Sequence, residues 1–222
     1  MKYYVINLDK RTDRFKSFKN EFCKIGSLRD LTRISGVEFQ IDSFDLNMTR
    51  ASCAAAHSKA INEALSKEDD FFTIFEDDVF FYDYTSDLIN KSLDFLKNKD
   101  WDFLYWGCVP RTDTTTNPLR GTEKDFIKKL MCGGAAHAIT YTRKFALQLV
   151  EKFPQNLQAS SWRSWIEKYQ AYDNFLMHFQ TQGNCYIPHK ICACQSNGYS
   201  DIDRAKSNRK DTIEEIFNNF ND

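Results

Sequence analysis

The pattern of apolar and polar positions predicts alternating strands and helices. Residues 3–6 form a short apolar run, which predicts a strand, and large apolar residues then recur at helical spacing as far as Gly26, which predicts an amphipathic helix that ends there. A strand followed at once by such a helix is how a βαβ unit begins.

The alternation continues to the C-terminus. Further strands are predicted around residues 37–39, 71–75, 101–106 and 136–141, and helices within 56–65, 85–96, 145–150, 165–169, 172–183 and about 210–221. Thr85 or Ser86 is expected to cap the helix over 85–96. Residues 109–123 show no periodicity and are predicted to form a mobile loop over a site. This order of elements predicts an α/β fold with a mixed, mostly parallel central sheet.

Composition narrows the classes of function. The chain has 222 residues without a strong shift in composition, which favours one α/β domain, or one domain with a short appendage. Its net charge of −1 comes from 30 basic and 31 acidic residues, so nucleic acid is not an expected partner. The seven cysteines are odd in number and form no CxxC pair, so buried, reduced thiols are expected.

The expected location follows from two patterns. The first residues lack a signal-peptide pattern, and no run of about 18 apolar residues occurs. We therefore expect a cytoplasmic protein without a transmembrane segment. The alternative location is a membrane surface.

An acidic triplet closes the most apolar stretch of the chain. Glu76, Asp77 and Asp78 follow the apolar run 71–75, which is typical of a strand buried on both faces. Ligands of α/β folds bind beyond the carboxyl ends of such strands, and crowded carboxylates suit Mg²⁺ or Mn²⁺. The triplet therefore indicates a divalent ion that carries a phosphate, and the alternative is a solvated turn between strand and loop.

Several segments together resemble glycosyltransferase family 25. They occur in the order that this family shows: residues 5–14 (VINLDKRTDR), 34–37 (ISGV), 52–57 (SCAAAH) and 75–79 (FEDDV), followed by blocks at 101–107, 134–142, 173, 188, 195 and 200–202. The family includes lipooligosaccharide β-galactosyltransferases and collagen hydroxylysine galactosyltransferases. The chain departs from bacterial members at Ser52, where they typically have glycine before the cysteine, and at Ala56, where they have serine before the histidine.

The resemblance implies a single GT-A-type, Rossmann-like domain over residues 1–222, with the helix at about 210–221 packed on it. It also implies a UDP-sugar donor such as UDP-galactose or UDP-glucose, Mn²⁺ (or Mg²⁺), and transfer with inversion to a hydroxyl of a glycan or protein. Lipopolysaccharide biosynthesis is one such setting. The donor-binding positions that match the family's blocks are Asn7, Leu8, Arg11, Arg14, His57, Glu76, Asp77, Gly134, Gln195, Ser200 and Asp201.

The metal is assigned to the acidic triplet. Asp78 is the first choice for direct ligation, and Asp77 lies on the opposite side of an extended chain. Glu76 lies on the same side as Asp78 and can reach either the metal or the ribose of the donor. Bound there, the ion would stabilise the charge that develops on the leaving diphosphate. His189, after a proline, is the candidate third ligand.

Inversion requires a base for the acceptor hydroxyl. Asp173, at the start of a predicted helix, matches the family's later acidic position and is the chosen base, although aspartate is also ordinary at a helix N-terminus. Asp201 is the rival, or else completes the metal or donor site with Gln195 and Ser200. His57 also fits a half-buried structural histidine that forms a hydrogen bond.

Two other functions stay open at this point. A metal-dependent hydrolase could use the triplet, although a two-metal centre ordinarily needs further carboxylate or histidine ligands. A catalytically silent module of the same fold would bind a nucleotide sugar or glycan without transferring it. The donor hexose, the acceptor and the oligomeric state are not encoded in any pattern recognised in the sequence.

Overall fold

A computed structural model describes residues 1–40, 45–111, 119–124, 126–182, 184–200, 205–207 and 213–215. The helices are α1 Thr12–Phe22, α2 Leu46–Leu65, α3 Thr85–Leu96, α4 Arg143–Val150, α5 Ala159–Tyr169 and α6 Tyr172–Gln180. The strands are β1 Lys2–Asn7, β2 Leu31–Ser35, β3 Phe71–Glu76, β4 Val79–Phe81, β5 Phe103–Tyr105, β6 Val109–Pro110, β7 Leu119–Lys124, β8 Ile127–Leu130, β9 Gly133–Gly134, β10 Ala138–Thr142, β11 Cys185–Pro188, β12 Ala193–Gln195, β13 Gly198–Ser200 and β14 Ala205–Ser207.

The central sheet has eight strands in the order β2-β1-β3-β10-β5-β11-β8-β7. Strands β10 and β8 run against both of their neighbours, so the other six strands share one direction. This confirms the predicted mixed, mostly parallel sheet. The carboxyl ends of β1 and β3 and the start of β10 consequently lie at the same edge, where Ile6 pairs with Glu76 and Phe75 with Ala138.

Helices cover both faces of this sheet. Ile74 and Tyr4 belong to one core cluster with α2, α4, α5 and α6, whereas Phe75 and Val5 belong to a second cluster with α1 and α3. Neighbouring residues of β3 thus alternate between two hydrophobic cores. The apolar run 71–75 is therefore a strand buried on both faces, as its composition predicts.

Two boundaries near the N-terminus differ from the sequence prediction. Helix α1 ends at Phe22 rather than at Gly26, whose N–H still bonds the Phe22 carbonyl at 3.0 Å through a following turn. Residues 37–39 do not form the expected strand. The strand in this part of the chain is β2, at residues 31–35, and it pairs in parallel with β1. Val37 and Phe39 lie beside the core without a strand partner, and their apolar side chains produced the misleading pattern.

A helix cap and a loop also differ from the sequence prediction. Helix α3 begins at Thr85 with Tyr84 as its N-cap, and the Thr85 hydroxyl accepts a bond from the Tyr82 N–H at 3.1 Å. The loop predicted over 109–123 contains β6 and most of β7, while residues 112–118 lie outside the described part. The pairing of β7 with β8 contains two register shifts. Strand β7 therefore lacks the regular alternation of apolar and polar residues by which a strand is recognised in a sequence.

The helix predicted at the C-terminus lies only partly within the described residues. Residues 213–215 are helical and Ile213 is buried, but the rest of the helix predicted at 210–221 lies outside the described residues. Helix α6 ends at Gln180, and Gly183, its predicted end, is also outside them. The Tyr82 hydroxyl donates to the Glu214 carboxylate and so ties this segment to the chain that follows β4.

Candidate active site

The acidic triplet forms a tight turn between β3 and β4. The Glu76 N–H bonds the His137 carbonyl at 2.9 Å, just before β10, and the Asp78 carbonyl accepts from the Ser196 N–H at 2.7 Å, just after β12. Backbone bonds from two separate segments therefore fix the turn at the sheet edge. The Glu76 side chain faces His57 and Gln195, whereas the side chains of Asp77 and Asp78 both lie near Arg14.

Glu76 is held through both carboxylate oxygens. His57 Nε2 lies 3.1 Å from Oε1, and Gln195 Nε2 donates to Oε2 at 3.2 Å. Since an ionised carboxylate only accepts, His57 carries its proton on Nε2 when it bonds Glu76. The His57 ring is fully buried, whereas the structural alternative expected from the sequence was a half-buried histidine.

Asp77 faces the N-terminal strand instead. Its Oδ2 accepts from Asn7 Nδ2 at 2.6 Å, and Arg14 lies 3.2 Å from its Oδ1 and 3.8 Å from Asp78 Oδ2. Arg33 in turn donates from Nε to Asn7 Oδ1 at 2.8 Å. Burial raises the pKa of Asp77 even though the bonds from Asn7 and Arg14 lower it.

Cys53 lies one helical turn before His57 on α2. Its Sγ is 3.8 Å from Glu76 Oε1. Burial raises the pKa of the thiol well above its ordinary value, and the carboxylates of Glu76, Asp173 and Asp78 raise it further. Sequence reasoning assigned Cys53 no role, although its i, i+4 spacing to His57 places both side chains on one helix face.

Asp173 is in the first turn of α6 and is held by backbone groups. Its Oδ2 accepts from the Ala135 N–H at 3.0 Å and its Oδ1 from the Asn174 N–H at 3.0 Å, while Arg111 lies 3.6 Å from Oδ2. A Cβ on Gly134 would come within 2.8 Å of Oδ2, so glycine is needed for this approach. Ala135 has φ 68°, in the left-handed region, which costs on the order of 1–2 kcal/mol.

Two stacked rings connect the acidic turn with Asp173. The His57 ring stacks on Tyr172, with centroids 4.1 Å apart and planes at 14°, and Tyr172 immediately precedes Asp173. The Tyr172 hydroxyl also lies 3.1 Å from that of Tyr141. Glu76 and Asp173 therefore border one region of the sheet edge, although they are far apart in the sequence.

Other predicted positions lie beside this region or outside the described residues. The Arg11 guanidinium pairs with exposed Asp13 at 3.1 Å. The Leu8 carbonyl accepts from the Arg11 N–H at 2.8 Å in the turn that follows β1. Ser200 is described only as part of the backbone of β13, and Asp201 lies outside the described residues.

His189 follows β11, and its N–H bonds the Phe126 carbonyl at 3.1 Å beside β8. Within the described part of the chain, Cys53, His57 and Glu76 form a cluster of three potential metal ligands, with ligand atoms within 4.8 Å of one another. His189 does not belong to that group. Sequence reasoning assigned no role to Arg111 or Ala135, because no sequence pattern marks either position.

Oxygen donors suited to a hard divalent ion are present at the turn. Asp78 and Glu76 flank the Gln195–Ser196 segment through the bonds given above. Carboxylate oxygens are the ligands that Mn²⁺ and Mg²⁺ prefer, so these two residues fit such an ion. Asp77 fits less well, because it is buried and faces Asn7 and Arg14 instead of the Gln195–Ser196 segment.

The chain is similar to several solved structures. One is A197 from STIV, with 14% identity, a TM-score of 0.46 and 93% of each chain covered. Another is a glycosyltransferase involved in glycosylation of the major capsid of PBCV-1, with 7% identity, a TM-score of 0.43, and 91% of this chain and 95% of that chain covered. A third is the mannosyltransferase PcManGT from Pyrobaculum calidifontis in complex with GDP-Man and Mn²⁺, with 11% identity, a TM-score of 0.38, and 78% and 52% covered.

No protein-family model and no curated protein matches the chain. The likeness to glycosyltransferase family 25 therefore stays a resemblance of its motifs. No helix among the described residues combines the length and the apolar character needed to cross a membrane.

Proposed function

We propose that the protein is a metal-dependent glycosyltransferase that moves a hexose from a UDP-sugar to a hydroxyl of a glycan or protein, with inversion. The observation that carries the proposal is the convergence of the acidic turn and Asp173: Glu76 Oε1 lies 3.1 Å from His57 Nε2, and the His57 ring stacks on Tyr172, which immediately precedes Asp173. The motif resemblance to family 25 supports the UDP-sugar, the galactose or glucose group and the inversion.

Asp78 and Glu76 would hold Mn²⁺ or Mg²⁺ in this proposal. When bound, the ion supplies a Lewis acid that stabilises the departing diphosphate. Gln195 and His57 orient Glu76 through its two oxygens. Asn7 and Arg14 hold Asp77 and thereby brace the turn against β1.

Asp173 is the base in this proposal. Two backbone N–H groups, from Ala135 and Asn174, hold one carboxylate oxygen each and fix the orientation of the group. Each carboxylate oxygen has more than one lone pair, so Asp173 can still accept the proton of an acceptor hydroxyl. As that oxygen bonds the anomeric carbon, the bond to the diphosphate breaks on the opposite face and the proton passes to Asp173.

The reaction class is tested by nucleotide release from a panel of UDP-sugars, with Mn²⁺ and with a chelator. We expect release from one UDP-hexose that requires the metal and falls by at least about 100-fold in Asp78→Asn, because the leaving charge then lacks its counter-ion. Asp100→Asn is the matched control, since exposed Asp100 lies outside the acidic turn and pairs with Lys144 at 2.6 Å.

Two results would count against the proposal. Nucleotide release that changes neither with the chelator nor with Asp78→Asn would mean that the metal has no role in the reaction. Binding of a UDP-sugar without turnover, with candidate glycan and protein acceptors present, would identify a silent binding module instead.

A further inference from the structure

Cys53, His57 and Glu76 bring a thiol, an imidazole and a carboxylate together. Their ligand atoms lie within 4.8 Å of one another, with His57 Nε2 and Cys53 Sγ at 3.1 and 3.8 Å from Glu76 Oε1. Separations of this size suit three ligands of one small ion, whose bonds run from about 2.0 to 2.3 Å. The cluster is also rigid, because two of its members lie on α2 and the third ends β3.

We propose that Cys53, His57 and Glu76 form a zinc site, which shares Glu76 with the hard-ion position proposed at Asp78. Zn²⁺ accepts sulfur, nitrogen and oxygen ligands together, whereas Mn²⁺ and Mg²⁺ prefer oxygen alone. Three protein ligands leave one position of a tetrahedral ion open to water or to a small anion.

The imidazole would bind zinc through Nε2, the ring nitrogen that lies 3.1 Å from Glu76 Oε1. In the metal-free protein Nε2 carries the proton of its bond to Glu76, so zinc binding requires the other tautomer, with the proton on Nδ1. His57 is fully buried, which holds the ring in position beside Glu76.

The local charge favours the same conclusion. Glu76 supplies a negative charge at the site, since its Oε1 lies 3.1 Å from His57 Nε2 and 3.8 Å from Cys53 Sγ, and a negative charge attracts a dication. On binding, the Cys53 S–H proton passes to solvent as the Zn–S bond forms, since a coordinated thiol is deprotonated.

The site does not depend on the proposed transfer reaction. Its ligands would bind zinc whether or not the protein turns over a UDP-sugar. Glu76 is shared with the proposed donor site, so zinc is expected to inhibit the transferase where that activity exists.

Cobalt spectroscopy of the metal-stripped full chain tests the proposal. We expect one equivalent of Co²⁺ to give tetrahedral bands and a thiolate-to-metal charge-transfer band, and Zn²⁺ to bleach both. Cys53→Ser should remove the charge-transfer band and weaken Zn²⁺ binding by more than about tenfold. Cys23→Ser is the matched control, because Cys23 is an exposed cysteine beyond α1.

A second measurement uses the unaltered protein, in case Cys53→Ser fails to fold. Zn²⁺ should slow alkylation of Cys53, located by peptide mass spectrometry, and leave alkylation of Cys23 unchanged. Absence of a thiolate band in the unaltered protein, or a band that persists in folded Cys53→Ser, would overturn the zinc site. Equal protection of both cysteines would do the same.

Discussion

Asp77 is the most enclosed carboxylate of the acidic turn. It is buried, whereas Glu76 and Asp78 keep part of their surface exposed. Burial is the largest influence on its pKa and raises it above 3.8 in the folded protein. The folded state then holds the proton more tightly than the unfolded chain does, so the contribution of Asp77 to stability is present below pH 3.8 and is lost as the pH rises through the folded pKa.

A pH series on Asp77→Asn tests this relation. Because the amide does not titrate, the free energy of unfolding of the variant should improve relative to the unaltered protein as the pH rises from the acid range to about 7. Urea unfolding at several pH values measures the difference between the two proteins. A difference that stays constant, or that changes in the opposite direction, would contradict the raised pKa.

Asp13→Asn serves as the control for that series. Arg11 lowers the pKa of exposed Asp13 through a hydrogen bond, so its contribution has the opposite sign: it is present above the unfolded pKa and is lost as the pH falls. The Asp13 variant should therefore lose stability, relative to the unaltered protein, as the pH rises. Matching slopes for both variants would mean that a general effect of charge, rather than burial of Asp77, dominates.

Sequence reasoning selected the acidic turn and Asp173 as candidates, but it could not describe how Asp173 is held. The carboxylate depends on an N–H from Ala135, whose positive φ no sequence pattern marks, because the left-handed region is ordinarily occupied by glycine or asparagine. Alternation along the chain did predict opposite sides for Glu76 and Asp77. Their partners, His57 and Asn7, come from different elements.

At the scale of elements, composition predicted most strands and helices but not the direction of β10. This strand lies antiparallel between β3 and β5, and its apolar residues would suit either direction. Only the long-range pairing of Ile139 with Ile74 and Tyr105 decides it. Strand β7 was missed for a local reason, namely its irregular pairing with β8.

Close packing behind the site gives a prediction about stability. Gly107 follows β5, and a Cβ there would lie 1.9 Å from the backbone carbonyl oxygen of Ala193. Because backbone cannot move aside as a side chain can, Gly107→Ala should destabilise the protein by about 3 kcal/mol or prevent folding. Urea unfolding and circular dichroism measure the loss.

Gly36→Ala is the matched control for this prediction. Its added Cβ would meet Leu8 Cδ2 at 2.9 Å, and that atom is the end of a flexible side chain. We expect this variant to fold and to lose clearly less stability than Gly107→Ala. Equal stability of the two variants would contradict the close approach of Gly107 to the backbone carbonyl of Ala193.

For the whole molecule, the topology explains why distant residues share a site. The parallel strands β1 and β3 end at one sheet edge, the reversed β10 begins there, and α6 brings Asp173 beside the stacked His57 and Tyr172 rings. The order of motifs in the sequence pointed to a transferase, but spatial convergence required the long-range strand pairing that only the structure provides.

In the proposed mechanism Asp173 is the base and the acidic turn holds the donor. The experiment is to measure kcat and the donor Kd of Asp173→Asn with Mn²⁺ present. We expect kcat to fall at least about 100-fold while the donor Kd changes little, because the base acts on the acceptor hydroxyl. An unchanged kcat in a folded Asp173→Asn protein would contradict it.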